Sequence, residues 1–339
     1  MRFATKIGMI AVAAALIIGP LLGAAMFLDA RALLLERIIH DQAQIAAGVM
    51  EKIDHTLFMA SGDTHLIASD NFLREFLESP QVSEGRADMV SDELEERAKL
   101  TGPWEEMTVF DRGGRVVFAP TGLDSIGALA DSPQDRIAFE SALRGKSYDS
   151  DRIVCHRTGR PVVIFAVPIF GQADQDRVVG VVVFHYVWAP IQSILDELEA
   201  PATVHLLNRK GEVIGRSSGA HPDMRPLLLP SAEPARTALP GGEMGYAILP
   251  RFIHGGGDSL MVDVRQRGVN GYRGAGWTLM VEMPLEVIFT PIVTMARDTG
   301  LLVFGVLLAV AALFAVLGRR FIRPLGELVE GVRQVEQGR

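Results

Sequence analysis

Basic and aromatic side chains lie close together in the sequence between positions 136 and 165, a combination suited to binding an organic anion. A guanidinium can donate two parallel hydrogen bonds to a carboxylate, and aromatic rings can form pocket walls. The pattern predicts a small organic anion as ligand; alternatively, Arg136 only pairs with Asp131 or Asp135 on a solvated helix face. The candidate ligand-binding residues are Arg136, Phe139, Tyr148, Arg152, His156 and Phe165, and Arg157 belongs to the same basic group.

The sequence carries no motif for hydrolysis, phosphate binding or metal binding. Gly-x-Ser-x-Gly and a phosphate-binding glycine-rich loop are both missing. The eight histidines are scattered, and no two of them have the spacing of metal ligands. His185 lies in the apolar segment 178–188, where we expect a core or surface residue. We therefore expect no catalytic residue, no cofactor and no metal site.

Two stretches without charged residues, 7–28 and 299–318, predict membrane helices. A helix rises about 1.5 Å per residue and the hydrocarbon core is about 30 Å thick, so each stretch can cross it. The alternative for the first stretch is a cleaved signal peptide, but such a signal has an apolar core of only about 7–15 residues. Basic residues flank both outer ends, which predicts cytoplasmic termini and an extracytoplasmic region at 29–298. These residues are Arg2, Lys6, Arg319, Arg320 and Arg323.

The region between the two stretches is acidic. It holds 26 basic and 38 acidic residues, a net charge of about −12, against −8 for the whole chain. This charge argues against nucleic acid or an anionic lipid surface as its ligand, although lipid surrounds the two predicted membrane helices. Cys155 is the only cysteine, so no intramolecular disulfide can form and the region must be stabilised by its core.

Part of the sequence is duplicated. Residues 111–117 match 208–214 at an offset of 97, and 180–187 match 276–283 at an offset of 96. Each copy alternates β-branched runs with glycine-rich turns, and a helix is predicted at 132–145 with Ile137, Ala138 and Leu143 facing the sheet. The pattern predicts two tandem α+β subdomains, each built on an antiparallel sheet.

A long helix is predicted ahead of the duplication, from residue 29 to about 60. Apolar residues recur at alternating spacings of three and four, which is typical of a coiled-coil seam. This seam either pairs with a second copy, making a homodimer, or packs on the sheets of its own chain. Its members are Ala32, Leu35, Ile39, the polar Gln42, Ala46, Val49 and Ile53.

Short segments along the duplicated region form an ordered series: 109–117, 135–145, 159–169, 180–184 and 274–284. In order and spacing this series resembles double Cache domains, the extracellular PAS-like sensor modules of bacterial chemoreceptors, sensor kinases and cyclic-nucleotide signalling enzymes. The resemblance implies a ligand in the membrane-distal subdomain, at about 131–184, and a bacterial inner-membrane location. Amino-acid-binding members commonly have an Arg followed by an aromatic pair; residues 135–139 keep the Arg and lack the pair.

The segment after the second stretch resembles the first helix of a HAMP linker, a parallel coiled coil beneath the membrane. Pro324 follows the basic edge, and apolar residues then repeat at three and four. We expect a relay from Pro284 to this helix and, in a longer parent protein, the rest of the linker. The repeating residues are Leu325, Leu328, Val332 and Val335.

The predicted fold is therefore α+β: a long N-terminal helix and two tandem PAS-like (Cache) subdomains, flanked by two transmembrane helices. The predicted parts are the cytoplasmic 1–6, the membrane helix 7–28, the helical 29–100, the distal subdomain 101–198, the proximal subdomain 199–290, the connecting helix 291–298, the membrane helix 299–318 and the HAMP start 319–339.

The predicted function is that of a sensory receptor which binds a small extracytoplasmic ligand and signals to a cytoplasmic output domain. The output could belong to a chemoreceptor, or the chain could be the sensory half of a histidine kinase or diguanylate cyclase whose catalytic domain lies beyond Arg339. A further alternative is a module that reads a periplasmic binding protein and has no small-molecule pocket.

Overall fold

The computed structural model describes residues 2–78, 87–119, 132–172, 174, 176–198, 201–218, 237–239, 244–250 and 257–317. The chain forms two compact units, one made of Ile39–Pro284 and the other of the segments before and after it. The predicted HAMP helix lies outside the described residues.

Helix α1 (Arg2–Ala68) is unbroken and includes the first predicted membrane stretch. From residue 46 onward one apolar face of the helix is buried in the core of its own chain, including Ala46, Val49, Ile53 and Leu57. Ala32 near the membrane stretch is exposed. The outer half of the predicted seam therefore packs within the chain.

The distal subdomain contains helices α2 (Asn71–Glu78) and α3 (Ala87–Leu100), strands β1 (Trp104–Asp111) and β2 (Val116–Phe118), helix α4 (Pro133–Leu143), strands β3 (Tyr148–Asp149), β4 (Ile153–Val154), β5 (Pro161–Phe170) and β6 (Val178–Val187), and helix α5 (Ala189–Leu195). Its sheet has the order β2-β1-β6-β5-β3, with β4 also paired to β5.

The proximal subdomain contains strands β7 (Thr203–Leu207), β8 (Val213–Arg216), β9 (Thr237–Ala238), β10 (Met244–Pro250), β11 (Asp258–Arg265) and β12 (Thr278–Pro284). They form one antiparallel sheet in the order β8-β7-β12-β11-β10-β9. In both sheets the first strand of the subdomain pairs with its last long strand, which supports the predicted duplication.

The strand registers correct the second offset of this duplication. Glu106 lies opposite His185 in the distal sheet, and Thr203 lies opposite Glu282 in the proximal one. Glu106 therefore corresponds to Thr203, and His185 corresponds to Glu282, each pair being 97 positions apart. The predicted offset of 96 for the last strand is wrong by one. A slip of one residue would exchange the two faces of that strand, which the buried core does not allow.

Alternation along the strands divides the distal core into two layers. Val182 and Phe184 of β6 face α1, whereas Val181 and Val183 face α4. Helix α4 begins after Ser132, whose side chain accepts a hydrogen bond from the Asp135 amide (3.4 Å), and Pro133 fits its first turn. The prediction that Ile137 faces the sheet is wrong: it is 55% exposed, because Ala138 and Phe139 occupy the inner face.

Helix α6 (Leu285–Leu317) follows β12 with no loop between them. It contains both the predicted connecting helix and most of the second membrane stretch, so its start lies six residues before the predicted 291. Among the described residues, two helices are long and apolar enough to cross a membrane: Ile18–Ala68 and Leu285–Val310, with mean hydropathies of 1.6 and 1.7.

Candidate functional site

A cluster of buried polar side chains lies between the distal sheet and α4. Glu106 on β1 and His185 on β6 are direct neighbours across the sheet and point to the same face as Phe110 and Val183. Cys155 follows β4, in a turn closed by a hydrogen bond from the Cys155 amide to the Arg160 carbonyl (2.8 Å). Glu106, Cys155 and His185 are each no more than 5% exposed.

His185 lies at the centre of this cluster and has a partner on each ring nitrogen. Its Nε2 is 2.8 Å from Oδ1 of Asp135, in the first turn of α4. Its Nδ1 is 3.5 Å from Sγ of Cys155 and also 3.5 Å from Oε2 of Glu106. The Cys155 Sγ lies 3.9 Å from the same carboxylate oxygen. Two strands, a turn and a helix start are therefore all needed to assemble the cluster.

The second oxygen of Glu106 is held from another direction. Oε1 accepts a hydrogen bond from the Thr108 hydroxyl (3.3 Å) and forms an ion pair with the guanidinium of Arg157. A buried carboxylate needs such partners, because an unpaired charge in the interior is costly. Oε2 is thereby directed toward Cys155 and His185.

The cluster favours ionised forms of its thiol and its imidazole. The hydrogen bond with His185 is the main cause that lowers the pKa of Cys155 to about 6. Burial alone lowers the pKa of His185, but hydrogen bonds with Asp135 and Cys155 outweigh it and raise that pKa to about 9. Both pKa shifts favour the thiolate of Cys155 beside the imidazolium of His185, and a thiolate is a stronger nucleophile and metal ligand than a thiol.

The structure separates the residues that the sequence analysis had grouped. Phe139 is buried on the inner face of α4, with its ring centroid 5.5 Å from that of Phe110. Phe165 lies on the opposite face of the sheet, in the core layer facing α1, so it does not wall a pocket beneath α4. Its neighbours Ile164 and Ala166 take the α4 side because side chains alternate along a strand.

The basic candidates also lie apart from one another. Arg136 is exposed on α4, and His156 is exposed in the turn after β4. Arg152 points toward the proximal subdomain, where it donates a hydrogen bond to the Ile214 carbonyl (3.3 Å) and lies 5.5 Å from the Trp188 ring centroid. Of the basic group, Arg157 reaches the polar cluster.

Tyr148 lines a different space, a cavity of about 850 Å³ between α1, the edge strand β3 of the distal sheet and two loops of the proximal subdomain. His65 contributes from α1, and Asp149, whose pKa is raised by burial, contributes from β3. Side chains of the proximal subdomain complete the lining: Arg209, Lys210, Tyr272 and Arg273. Three of these four are basic, which suits an anionic ligand.

Beside this cavity, Asp151 connects the two subdomains. It accepts hydrogen bonds from Nε1 of Trp277 (2.8 Å) and from Nδ2 of Asn208 (3.1 Å). The Trp277 ring packs against Trp188, with centroids 6.0 Å apart. Asp151 thus joins the cavity lining to the buried pair Trp188 and Trp277.

Sequence reasoning missed Glu106, Cys155, Asp135 and His185 as a group. Their sequence positions show no motif, because the sheet and α4 bring distant segments together. One signal was present: Glu106 lies two and four residues before Thr108 and Phe110, on the strand face that carries the apolar Phe110. A buried acidic residue at such a position requires polar partners.

Neither a protein-family model nor a curated protein sequence matches the chain. Solved structures do match it. The sensor domain of the V. cholerae histidine kinase DctB is similar with a TM-score of 0.52 and 17% identity, over 74% of this chain and 98% of that one.

Two chemoreceptor domains match to a similar extent. The ligand-binding domain of Campylobacter jejuni Tlp3, in complex with 4-methylisoleucine, has a TM-score of 0.53 and 10% identity, over 75% of this chain and 94% of that one. The ligand-binding domain of Pseudomonas fluorescens CtaA, in complex with L-isoleucine, has a TM-score of 0.53 and 13% identity, over 77% of this chain and 98% of that one. The region Ile39–Pro284 thus has the double Cache fold of sensor domains, with a candidate membrane helix on either side.

Proposed function

We propose that this chain is the sensory part of a bacterial inner-membrane receptor, which binds a small extracytoplasmic ligand and relays the event through α6. The observation that carries the proposal is a double Cache fold between two candidate membrane helices. Fold alone does not define function, but this arrangement provides an input domain joined to two routes through a membrane. In this proposal the termini are cytoplasmic and the chain acts as a homodimer with an output domain.

The relay we propose starts in the proximal sheet. Strand β12 lies between β7 and β11, and Pro284 is still in register with Ser259 of β11. Helix α6 begins at the next residue, Leu285, so a displacement of the strand reaches the helix without an intervening flexible loop. The HAMP helix with Pro324, Leu325, Leu328, Val332 and Val335 remains a sequence-based proposal for the next step.

We propose a small organic anion as the ligand and the 850 Å³ cavity as its site. The family resemblance implies a ligand beneath α4; we favour the cavity because Arg209, Lys210 and Arg273 line it. Two carboxyl groups, of Asp149 and Asp151, also line the cavity, but the basic side chains outnumber them and Asp151 directs its oxygens toward Trp277 and Asn208. A ligand in this cavity would contact α1 and both subdomains, so its binding can depend on their arrangement.

A thermal-unfolding experiment on the whole chain in nanodiscs tests this ligand assignment, with succinate as the anionic probe and L-isoleucine as a zwitterionic one. Succinate is expected to raise the Tm, because a ligand at about 100 times its Kd stabilises the folded state by about 2.7 kcal/mol. The Lys210→Ala/Arg273→Ala double variant should abolish the shift, since both side chains line the cavity.

Arg136→Ala is the matched control, because it removes an exposed basic residue from α4. It should respond to succinate as the unmodified chain does. A response that is lost in Arg136→Ala and kept in the double variant would contradict the cavity and favour the site beneath α4. A shift with L-isoleucine alone would contradict the organic anion.

A further inference from the structure

We infer that Glu106, Cys155 and His185 form a transition-metal site in the distal subdomain, suited to an ion such as Zn²⁺. The site is separate from the proposed anion cavity and goes beyond the proposed function. The sequence predicted no metal site, because no histidine pair has the short, regular spacing of metal ligands. These three residues come from β1, the turn after β4 and β6, so their proximity is visible only in the fold.

The distances between the three donor atoms match a tetrahedral metal site. Zn–N and Zn–O distances of about 2.0–2.2 Å and a Zn–S distance of about 2.3 Å place neighbouring tetrahedral ligand atoms about 3.3–3.6 Å apart. The observed separations are 3.5 Å for His185 Nδ1 to Cys155 Sγ, 3.5 Å for His185 Nδ1 to Glu106 Oε2, and 3.9 Å for Cys155 Sγ to Glu106 Oε2. Small side-chain adjustments would therefore complete the geometry.

The donor set indicates which ions the site prefers. A thiolate and a neutral imidazole favour Zn²⁺ and related transition metals, whereas Mg²⁺ and Ca²⁺ prefer oxygen ligands. A metal bound to Nδ1 of His185 would displace the proton that this nitrogen carries in the imidazolium, so binding releases a proton to solvent. Three protein ligands leave a fourth tetrahedral position for water or for a donor atom of another molecule. The positive charge of a metal would also offset the carboxylate and thiolate brought together here.

The surrounding residues orient the proposed ligands. Asp135 hydrogen bonds to Nε2 of His185, which leaves Nδ1 directed toward the sulfur and the carboxylate. Metal-binding histidines almost always have such a partner on the other ring nitrogen. Thr108 and Arg157 hold the remaining oxygen of Glu106. The cluster thus has both a set of donors and a second layer that fixes them.

The alternative is a self-contained polar network, in which Cys155 and His185 are satisfied by each other and by the carboxylates. That network also explains the hydrogen bonds, but it gives no reason for three donor atoms from different elements to converge on one point. The two possibilities differ in whether the whole chain binds one metal ion through the sulfur.

Metal titration of the whole chain in nanodiscs, stripped with a chelator and free of succinate, distinguishes them. Zn²⁺ is expected to bind at one ion per chain by calorimetry. Co²⁺ as a spectroscopic probe is expected to give visible absorption of tetrahedral type and a thiolate-to-Co²⁺ charge-transfer band. Cys155→Ser should abolish that band, and Asp135→Asn should weaken Zn²⁺ binding by about 10–100-fold.

His156→Asn is the control, because it removes an exposed histidine beside the site and should bind Zn²⁺ like the unmodified chain. Circular dichroism of each variant checks that the fold is kept. Absence of stoichiometric Zn²⁺ binding, or binding with a Co²⁺ spectrum unchanged in Cys155→Ser, would overturn the metal site. Neither result bears on the succinate response, so the proposed function can fail or stand independently.

Discussion

Replacement of Trp277 by alanine is expected to reduce the free energy of unfolding by about 3–5 kcal/mol, the usual cost of removing a large buried aromatic side chain. Trp277 is 1% exposed and belongs to the hydrophobic core shared by α1 and both sheets. Its indole also donates the 2.8 Å hydrogen bond to Asp151 of the distal subdomain. The change therefore leaves a cavity at the junction and a carboxylate with one partner fewer.

Chemical denaturation of the whole chain, followed by far-ultraviolet circular dichroism, measures this loss. Trp277→Phe is the matched control, because it keeps most of the side-chain volume and loses the hydrogen bond to Asp151. It should reduce the free energy of unfolding clearly less than the alanine variant does. A loss below about 1 kcal/mol for Trp277→Ala would show that the junction does not contribute as the structure indicates.

Replacement of Asp54 by alanine is expected to reduce the free energy of unfolding by about 3 kcal/mol. Asp54 is 3% exposed on α1 and accepts hydrogen bonds from Nε2 of Gln266 (2.7 Å) and from the Gly268 amide (2.8 Å). Hydrogen bonds to a charged group contribute about 1.5–3 kcal/mol each, and removing the acceptor leaves both donors without it. The loop after β11 would then lose its attachment to α1.

Glu51→Ala controls for this change, since Glu51 is exposed on the same helix and its loss should alter stability by no more than about 0.5 kcal/mol. Hydrogen exchange gives a second measurement, because Asp54→Ala should increase exchange at the Gly268 amide. Equal stabilities for the two variants would contradict the role of Asp54.

Local sequence patterns were sufficient to predict most of the framework. The helix predicted at 132–145 is α4, and the two predicted antiparallel sheets are those built on β1–β6 and β7–β12. These elements have strong local signals, namely alternating β-branched residues and a Ser-Pro helix start. The membrane stretches were equally clear, because length and lack of charge define them.

The site was less predictable, because it depends on strand pairing. Phe165 was assigned to a pocket from its residue type, although its position between Ile164 and Ala166 decides the face it occupies. The pairing of Glu106 with His185 follows from a register interrupted by an irregularity between Trp104 and Glu106. Such an irregularity has no reliable signal in a single sequence.

Disulfide scanning along α6 in membranes tests most directly whether this chain is a receptor that relays ligand binding. Single cysteines at Leu302, Val306 and neighbouring positions of the whole chain would report which helix face meets the second copy in the proposed homodimer; native Cys155 is buried and stays in place. We expect succinate to change the crosslinking pattern when the cavity residues are unmodified and to leave the pattern unchanged when the chain also carries Lys210→Ala/Arg273→Ala. An identical pattern with and without succinate, in a chain whose Tm succinate raises, would contradict the relay.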